Sequence, residues 1–198
     1  MKNLLKEVGN LLSRLIGILA IQGAYHKHQE IIKKLGYATL LVKTETELNQ
    51  VDALIMPGGE STAMVLILKK HHLWESLQKF CKIKPVFGTC AGAILLAKNT
   101  EKQDVSTLEI MDITISRNSY GRQIDSFETE VKFNDSKLIP AVFIRAPKIT
   151  DYDRKNIQVL ASDGNIPVIL QQDNKIACTF HPELTGDTSV HEYFLTLN

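Results

Sequence analysis

Cysteine is scarce in this chain: three in 198 residues, at Cys81, Cys90 and Cys178, an odd count with no CxxC pair. That pattern argues against a disulfide framework and against a cysteine-rich zinc site, and it makes a reducing cytoplasm the expected setting. Charge is nearly balanced, with a formal net of +1 at pH 7. Electrostatics therefore gives no reason to expect a nucleic-acid or membrane partner. No apolar run approaches the roughly 18 residues of a spanning helix. Internal repeats, low-complexity tracts and Pro/Gly-rich linkers are also missing, which leaves a single domain. What is present, 44% hydrophobic and 23% charged residues, is the composition of an ordinary globular protein with a sizeable core.

The first residues, "MKNLLKEVGNLLSRLIGILAIQGA", start basic and end small, but Lys6, Glu7, Asn10 and Arg14 break the apolar stretch a signal peptide needs. Leu4, Leu5, Val8, Leu11, Leu12 and Leu15 recur with the rhythm of one helix face. Residues 1–13 are therefore expected to be an amphipathic extension, docked or frayed, ahead of a domain over 14–198.

Short apolar runs then alternate with helical stretches. "LIGILAI" (15–21), "ATLLVK" (38–43), "DALIMP" (52–57) and "KPVFG" (84–88) read as strands, and helices are expected up to about Gly36, from about residue 61 and over about 91–98. Strands feeding helices imply a mostly parallel sheet with helices on both faces. The second half is different. "DITISR" (112–117), "FETEVKF" (127–133), "AVFIRA" (141–146), "IQVLAS" (157–162), "IPVILQ" (166–171) and "KIACTF" (175–180) are closely spaced, several with polar–apolar alternation. They predict an antiparallel extension of the α/β core, closed by a helix over about 188–197. In a parallel sheet the ligand crevice lies beyond the C-terminal strand ends. Three segments should meet there: "QGA", "PGGEST" and "GTCAG".

"GTCAG" places Cys90 between Gly88 and Gly92 at a strand-to-helix junction. G-x-C-x-G is the thiol counterpart of the nucleophile elbow, whose sharp turn needs neighbours without bulk. The free N–H groups at the helix start, Ala91 among them, favour a thiolate and suit a developing oxyanion. A buried core thiol is the alternative. A thiol nucleophile needs a base and the base an orienting acceptor. Of six histidines, His71 and His72 fall at an expected solvated helix end, His191 on the expected surface of the last helix, and His26 and His28 where packing or capping suffices. His181 stands out. In extended "HPE" the side chains of His181 and Glu183 point the same way, with Pro182 stiffening the spacing.

"GTCAG" with a later "HPE" resembles the class I, or triad, glutamine amidotransferases. Adding "GILAIQGA" (17–24), "PGGEST" (57–62), "RNSYGRQIDSFE" (117–128), "FIRAP" (143–147) and "FHPELT" (180–185), the chain from about residue 15 to 197 resembles the family of glutaminase subunits of pyridoxal 5'-phosphate synthase. The resemblance implies a flavodoxin-like α/β fold and hydrolysis of L-glutamine to L-glutamate and ammonia. It implies Cys90 as nucleophile with His181 and Glu183 as partners. Gly59, Glu60, Ser61, Arg117, Ile144 and Arg145 would bind substrate, with Gly59 and Ala91 as oxyanion donors. No metal or cofactor is implied. The ammonia would pass to a separate synthase subunit in a large hetero-oligomer, and activity without that subunit would be feeble. Lys27 stands where relatives carry an acidic residue, in a region that faces the synthase.

Independent chemistry agrees in part. A substrate with two charges on its α-carbon calls for a guanidinium, and Arg117 or Arg145 could supply it or could be a salt-bridged structural arginine. Three other readings share some of the pattern. Another class I amidotransferase, such as the glutaminase partner of imidazole glycerol phosphate synthase, would keep the triad but not "GGEST" and "RNSYGRQ". A non-catalytic module would not need all of Cys90, His181 and Glu183. A cysteine peptidase fits "HPE" with "GGES" less well.

Overall fold

The computed structural model describes residues 14–117 and 126–198. The expected amphipathic helix over 1–13, and most of "RNSYGRQIDSFE", lie outside the described residues.

Five parallel strands form the centre: β1 (Leu15–Leu19), β2 (Ala38–Val42), β3 (Ala53–Met56), β4 (Val86–Thr89) and, from the far end of the chain, β12 (Lys175–Cys178). Two antiparallel strands, β11 (Ile166–Gln172) and β10 (Gln158–Asp163), extend one edge, giving the order β10-β11-β12-β4-β3-β1-β2. The central strands are largely apolar, and β1, β3 and β4 are almost wholly buried, because both faces of the sheet are covered. Successive residues alternate between two cores. Leu54, Met56 and Val86 enter one core, while Ala53, Ile55 and Phe87 enter the other.

The first core is closed by α3 (Ser61–Lys70), α4 (Trp74–Ile83) and α5 (Ala91–Leu96), through Met64, Leu68, Leu77 and Leu95. The second is closed by α1 (Tyr25–Lys34), the C-terminal α6 (Ser189–Thr196) and a hairpin of β7 (Ser126–Phe133) with β8 (Lys137–Ile144). Ile32, Phe194, Val131 and Phe143 are its plugs. A separate small sheet has the order β5-β6-β9, from Ala97–Thr100, Met111–Ser116 and Lys148–Tyr152.

The fold is the expected α/β arrangement with an antiparallel extension, and two details differ. "KIACTF" is not part of the extension: β12 pairs in parallel with β4, Cys178 opposite Thr89. Helices α4 and the short α2 (Glu45–Leu48) and strands β5 and β9 had no counterpart in the expected pattern. Helix α2 is fixed locally by a capping box between Thr44 and Glu47.

Candidate active site

The C-terminal ends of β1, β3, β4 and β12 open on one side of the sheet, and a cleft of about 490 Å³ lies there. Cys90 forms its floor at the β4–α5 elbow. Its backbone, φ 47° and ψ −104°, falls in territory that residues with a Cβ rarely occupy. The flanking glycines make the turn possible. A Cβ on Gly92 would sit 2.0 Å from the Met56 carbonyl oxygen, and one on Gly88 would sit 2.6 Å from the backbone of Gly92. The Cys90 N–H donates to the Cys178 carbonyl at 2.8 Å, locking the elbow to β12.

Adjacency of β4 and β12 closes the sequence gap between the thiol and the imidazole. Cys90 is one residue past Thr89, and His181 three past its partner Cys178. The His181 N–H donates to the Val142 carbonyl of β8 at 2.8 Å, which ties the segment to the hairpin. His181 and Cys90 lie next to each other in the cleft. A Cβ on Gly58 would meet His181 Cε1 at 2.4 Å and Cys90 Cβ at 3.2 Å, so only glycine fits between them. On the other side, His181 Nδ1 is 2.7 Å from Glu183 Oε1; "HPE" is not the expected extended segment, because Pro182–Leu184 is a 3-10 turn that His181 precedes, and the turn is what brings the two side chains together. Glu183 is buried behind the ring and does not line the cleft.

Burial alone would lower the basicity of His181, but the hydrogen bonds and charges of Cys90 and Glu183 outweigh it and raise its pKa to about 10. Burial also pushes the Glu183 carboxyl up; His28 and the His181 hydrogen bond overcome that, and the net shift is downward. The other thiols lie away from the cleft. Cys81 and Cys178 are fully buried in the cores, where desolvation raises the first to about 12 and the second well above an ordinary thiol.

Gly59, Glu60, Ser61, Arg117, Ile144 and Arg145 all line the cleft with Cys90 and His181. Ala91, the first residue of α5, is buried beside Cys90. Glu60 and Arg117 already have partners. The Glu60 carboxylate caps α3 by accepting from the N–H groups of Thr62 and Ala63, at 3.0 and 2.6 Å. Arg117 reaches Glu60 Oε1 at 3.2 Å and Asp104 Oδ2 at 3.1 Å. Arg145 is exposed at the end of β8, with a left-handed φ of 42°.

Two lining residues, Ile94 and Leu184, had no place in the expected site, and the residues of "QGA" were expected near it without a role. Gln22 Oε1 accepts from the Glu60 N–H at 3.1 Å, a role that "QGA" hinted at by its position alone. His71 and His72 are exposed at the end of α3 as expected. His191 is not on the surface: it is fully buried, because α6 turns that face onto the sheet. His28 is equally buried, and its Nδ1 lies 2.9 Å from His191 Nε2.

Comparison with known proteins agrees over nearly the whole chain. Residues 18–197 match the model of the SNO glutamine amidotransferase family. The chain is 48% identical over 182 residues to the pyridoxal 5'-phosphate synthase subunit PdxT of Francisella philomiragia, covering 92% of this chain and 98% of that one. It is 46% identical, with the same coverage, to the PdxT of Francisella tularensis subsp. holarctica. Among solved structures, a glutamine amidotransferase superposes with a TM-score of 0.86 at 36% identity, over 91% of this chain and 97% of that one. PurLQS from Thermotoga maritima shares the fold alone, at a TM-score of 0.65 and 13% identity over 90% of this chain and 91% of that one. A thiol elbow beside a buried His–Glu pair, in a chain this similar to those proteins, has one consistent reading: the chain belongs to the SNO glutamine amidotransferase family.

Proposed function

We propose that this chain hydrolyses L-glutamine to L-glutamate and ammonia through Cys90, His181 and Glu183, and that it passes the ammonia to a synthase subunit making pyridoxal 5'-phosphate. One observation carries the reading: β12 lies beside β4 and brings an imidazole backed by a carboxylate to a thiol on a strained elbow, at the floor of a cleft. The similarity to the PdxT subunits supports the choice of amide and of partner.

The chemistry follows from the geometry. His181 takes the Cys90 proton, and Glu183 stabilises the imidazolium. Sγ attacks the side-chain amide carbon of glutamine, and the N–H groups of Ala91 and Gly59 receive the oxyanion. As the tetrahedral intermediate collapses, the C–N bond breaks and His181 delivers its proton to the departing ammonia. A glutamyl thioester remains. Water, deprotonated by His181, attacks it, and glutamate leaves as the proton returns to Sγ. Gly59, Glu60, Ser61, Arg117, Ile144 and Arg145 form the glutamine pocket in this reading. Arg117 acts there chiefly by holding Glu60, since its guanidinium is already shared with Asp104.

The test is a glutaminase assay of the wild type and Cys90→Ala, each with and without the synthase subunit. Turnover should be low alone, rise on adding the synthase, and vanish in Cys90→Ala with the fold intact. Ammonia release by Cys90→Ala at the wild-type rate would remove Cys90 from the reaction.

A further inference from the structure

The polar chain behind the thiol does not end at Glu183. One carboxylate oxygen, Oε1, meets His181 at 2.7 Å. The other, Oε2, is buried without a hydrogen-bond partner among the described residues, and the nearest candidate donor is His28 Nε2 at 3.4 Å. His28 lies on the inner side of α1 with no exposed surface, and Thr89 Oγ1 of β4 is 3.3 Å from the same nitrogen. The opposite ring nitrogen, Nδ1, is 2.9 Å from His191 Nε2 on α6. Phe87 packs edge-on against both imidazoles. Five side chains from four separate segments thus run in line: Cys90, His181, Glu183, His28 and His191.

The tautomers of the last two follow from what each nitrogen faces. A buried carboxylate oxygen needs a donor, and a ring lone pair aimed at it would be repelled. His28 must therefore carry its proton on Nε2, which leaves Nδ1 to accept. His191 Nε2 must then be the donor to it. His191 Nδ1 is left without a proton, and among the described residues nothing is placed to accept one from it. The reverse arrangement would bury an orphaned N–H on His191 and turn a lone pair toward Glu183, two faults against the single unpaired Nδ1 lone pair of His191.

We infer that His28 is a positioning residue for the amide-cleaving centre: it donates from Nε2 to Glu183 Oε2, and His191 fixes it in that tautomer by donating to its Nδ1. This rests on the catalytic roles given above to Cys90, His181 and Glu183. The two donors grip the carboxylate from both oxygens, so that it stays ionised and keeps the His181 ring turned toward the thiol. The contact at 3.4 Å is longer than a good hydrogen bond, as such contacts often are before substrate binds. Burial disfavours the charged form of His28 and of His191, which suits a pair of neutral donors. The titratable groups bearing on the pair are Glu183 and His181 on the β12 side and, at longer range from His191, Asp187.

Nitrogen-15 NMR of the histidine rings in the full-length wild type reads the tautomers directly. His28 and His191 should both show Nε2–H. A proton on Nδ1 of His28 overturns the inference, whatever any variant does. His28→Phe keeps the ring volume and removes the donor. Loss of a hydrogen bond to a charged group should lower kcat, with the synthase present, by about 10- to 100-fold with KM unmoved. The His181 titration midpoint, followed in the same spectra, should fall. His28→Gln, which restores an N–H, should recover most of both effects, and a simple packing defect would not be rescued in that way. A folded His28→Phe with wild-type kcat and an unmoved His181 midpoint, beside an inactive Cys90→Ala, removes the role of His28 and leaves the nucleophile standing. Ammonia release by Cys90→Ala would instead undermine the underlying reading and leave the tautomers untouched.

Discussion

Replacing Cys90 by glycine should cost less stability than an ordinary alanine-to-glycine change predicts. Both Cys90→Ala and Cys90→Gly remove the thiol and whatever it contributes beside His181, so their difference isolates the backbone and the single Cβ. At an ordinary buried position, going from alanine to glycine costs about 0.5–1 kcal/mol of chain entropy and about 0.8 kcal/mol of lost burial, roughly 1.5 kcal/mol in all. At position 90 the φ of 47° and ψ of −104° lie outside even the left-handed helical region. A Cβ there costs about 1–3 kcal/mol, and glycine escapes that cost. Set against the roughly 1.5 kcal/mol lost, that gain puts Cys90→Gly between about 0.5 kcal/mol below and about 1.5 kcal/mol above Cys90→Ala, and each kcal/mol in a domain of this size is about 2–4 °C in Tm. Urea unfolding of the two full-length variants, compared at equal m-value, measures the difference. Cys90→Gly falling about 1.5 kcal/mol or more below Cys90→Ala would refute the claim that the elbow is strained.

Two further substitutions test neighbouring parts of the site. Gly92→Ala would drive a Cβ to 2.0 Å from the Met56 carbonyl oxygen, backbone against backbone, and should cost at least about 1–3 kcal/mol in urea unfolding; an unchanged midpoint would mean that β3 and α5 are not held at this approach. Glu60→Ala removes the cap of α3 and should cost about 0.5–2 kcal/mol at neutral pH. Burial acts to raise the Glu60 carboxyl, but the N–H groups of Ala63 and Thr62, with Arg117, bring it below the usual glutamate value. A depressed carboxylate stabilises the fold above its unfolded pKa of 4.5 and loses that contribution as pH falls through the lower folded value. The gap between wild type and Glu60→Ala should therefore narrow as the pH is taken below about 4.5; a gap that widens in acid would show that the charge of Glu60 does not act through the cap.

The parts of the site that are local in sequence were legible there. Gly88 and Gly92 announce the elbow because close backbone approach leaves glycine as the fitting residue, and Pro182 fixes His181 and Glu183 on one side of a short turn. What joins these two pieces is not local. The parallel pairing of β12 with β4 depends on which sheet edge a late strand selects, and "KIACTF" looks no different from the antiparallel strands before it. The His28–His191 contact spans 163 residues, and taken alone His28 reads as a packing or capping residue and His191 as a helix-surface one. Strands β5 and β9 carry too many polar residues to stand out, as in "AKNT" and "KITDY", and are held by pairing with β6 instead.

Convergence of the thiol, the imidazole and the carboxylate is the claim on which the chemistry rests. A thiol-reactive glutamine analogue at limiting concentration, followed by mass spectrometry of the digested chain, tests it most directly. The label should fall on Cys90 alone, because Cys81 and Cys178 are fully buried, and His181→Ala should suppress it at neutral pH. Labelling of Cys90 that proceeds equally fast without the imidazole, or that falls on Cys81 or Cys178 instead, would contradict the account.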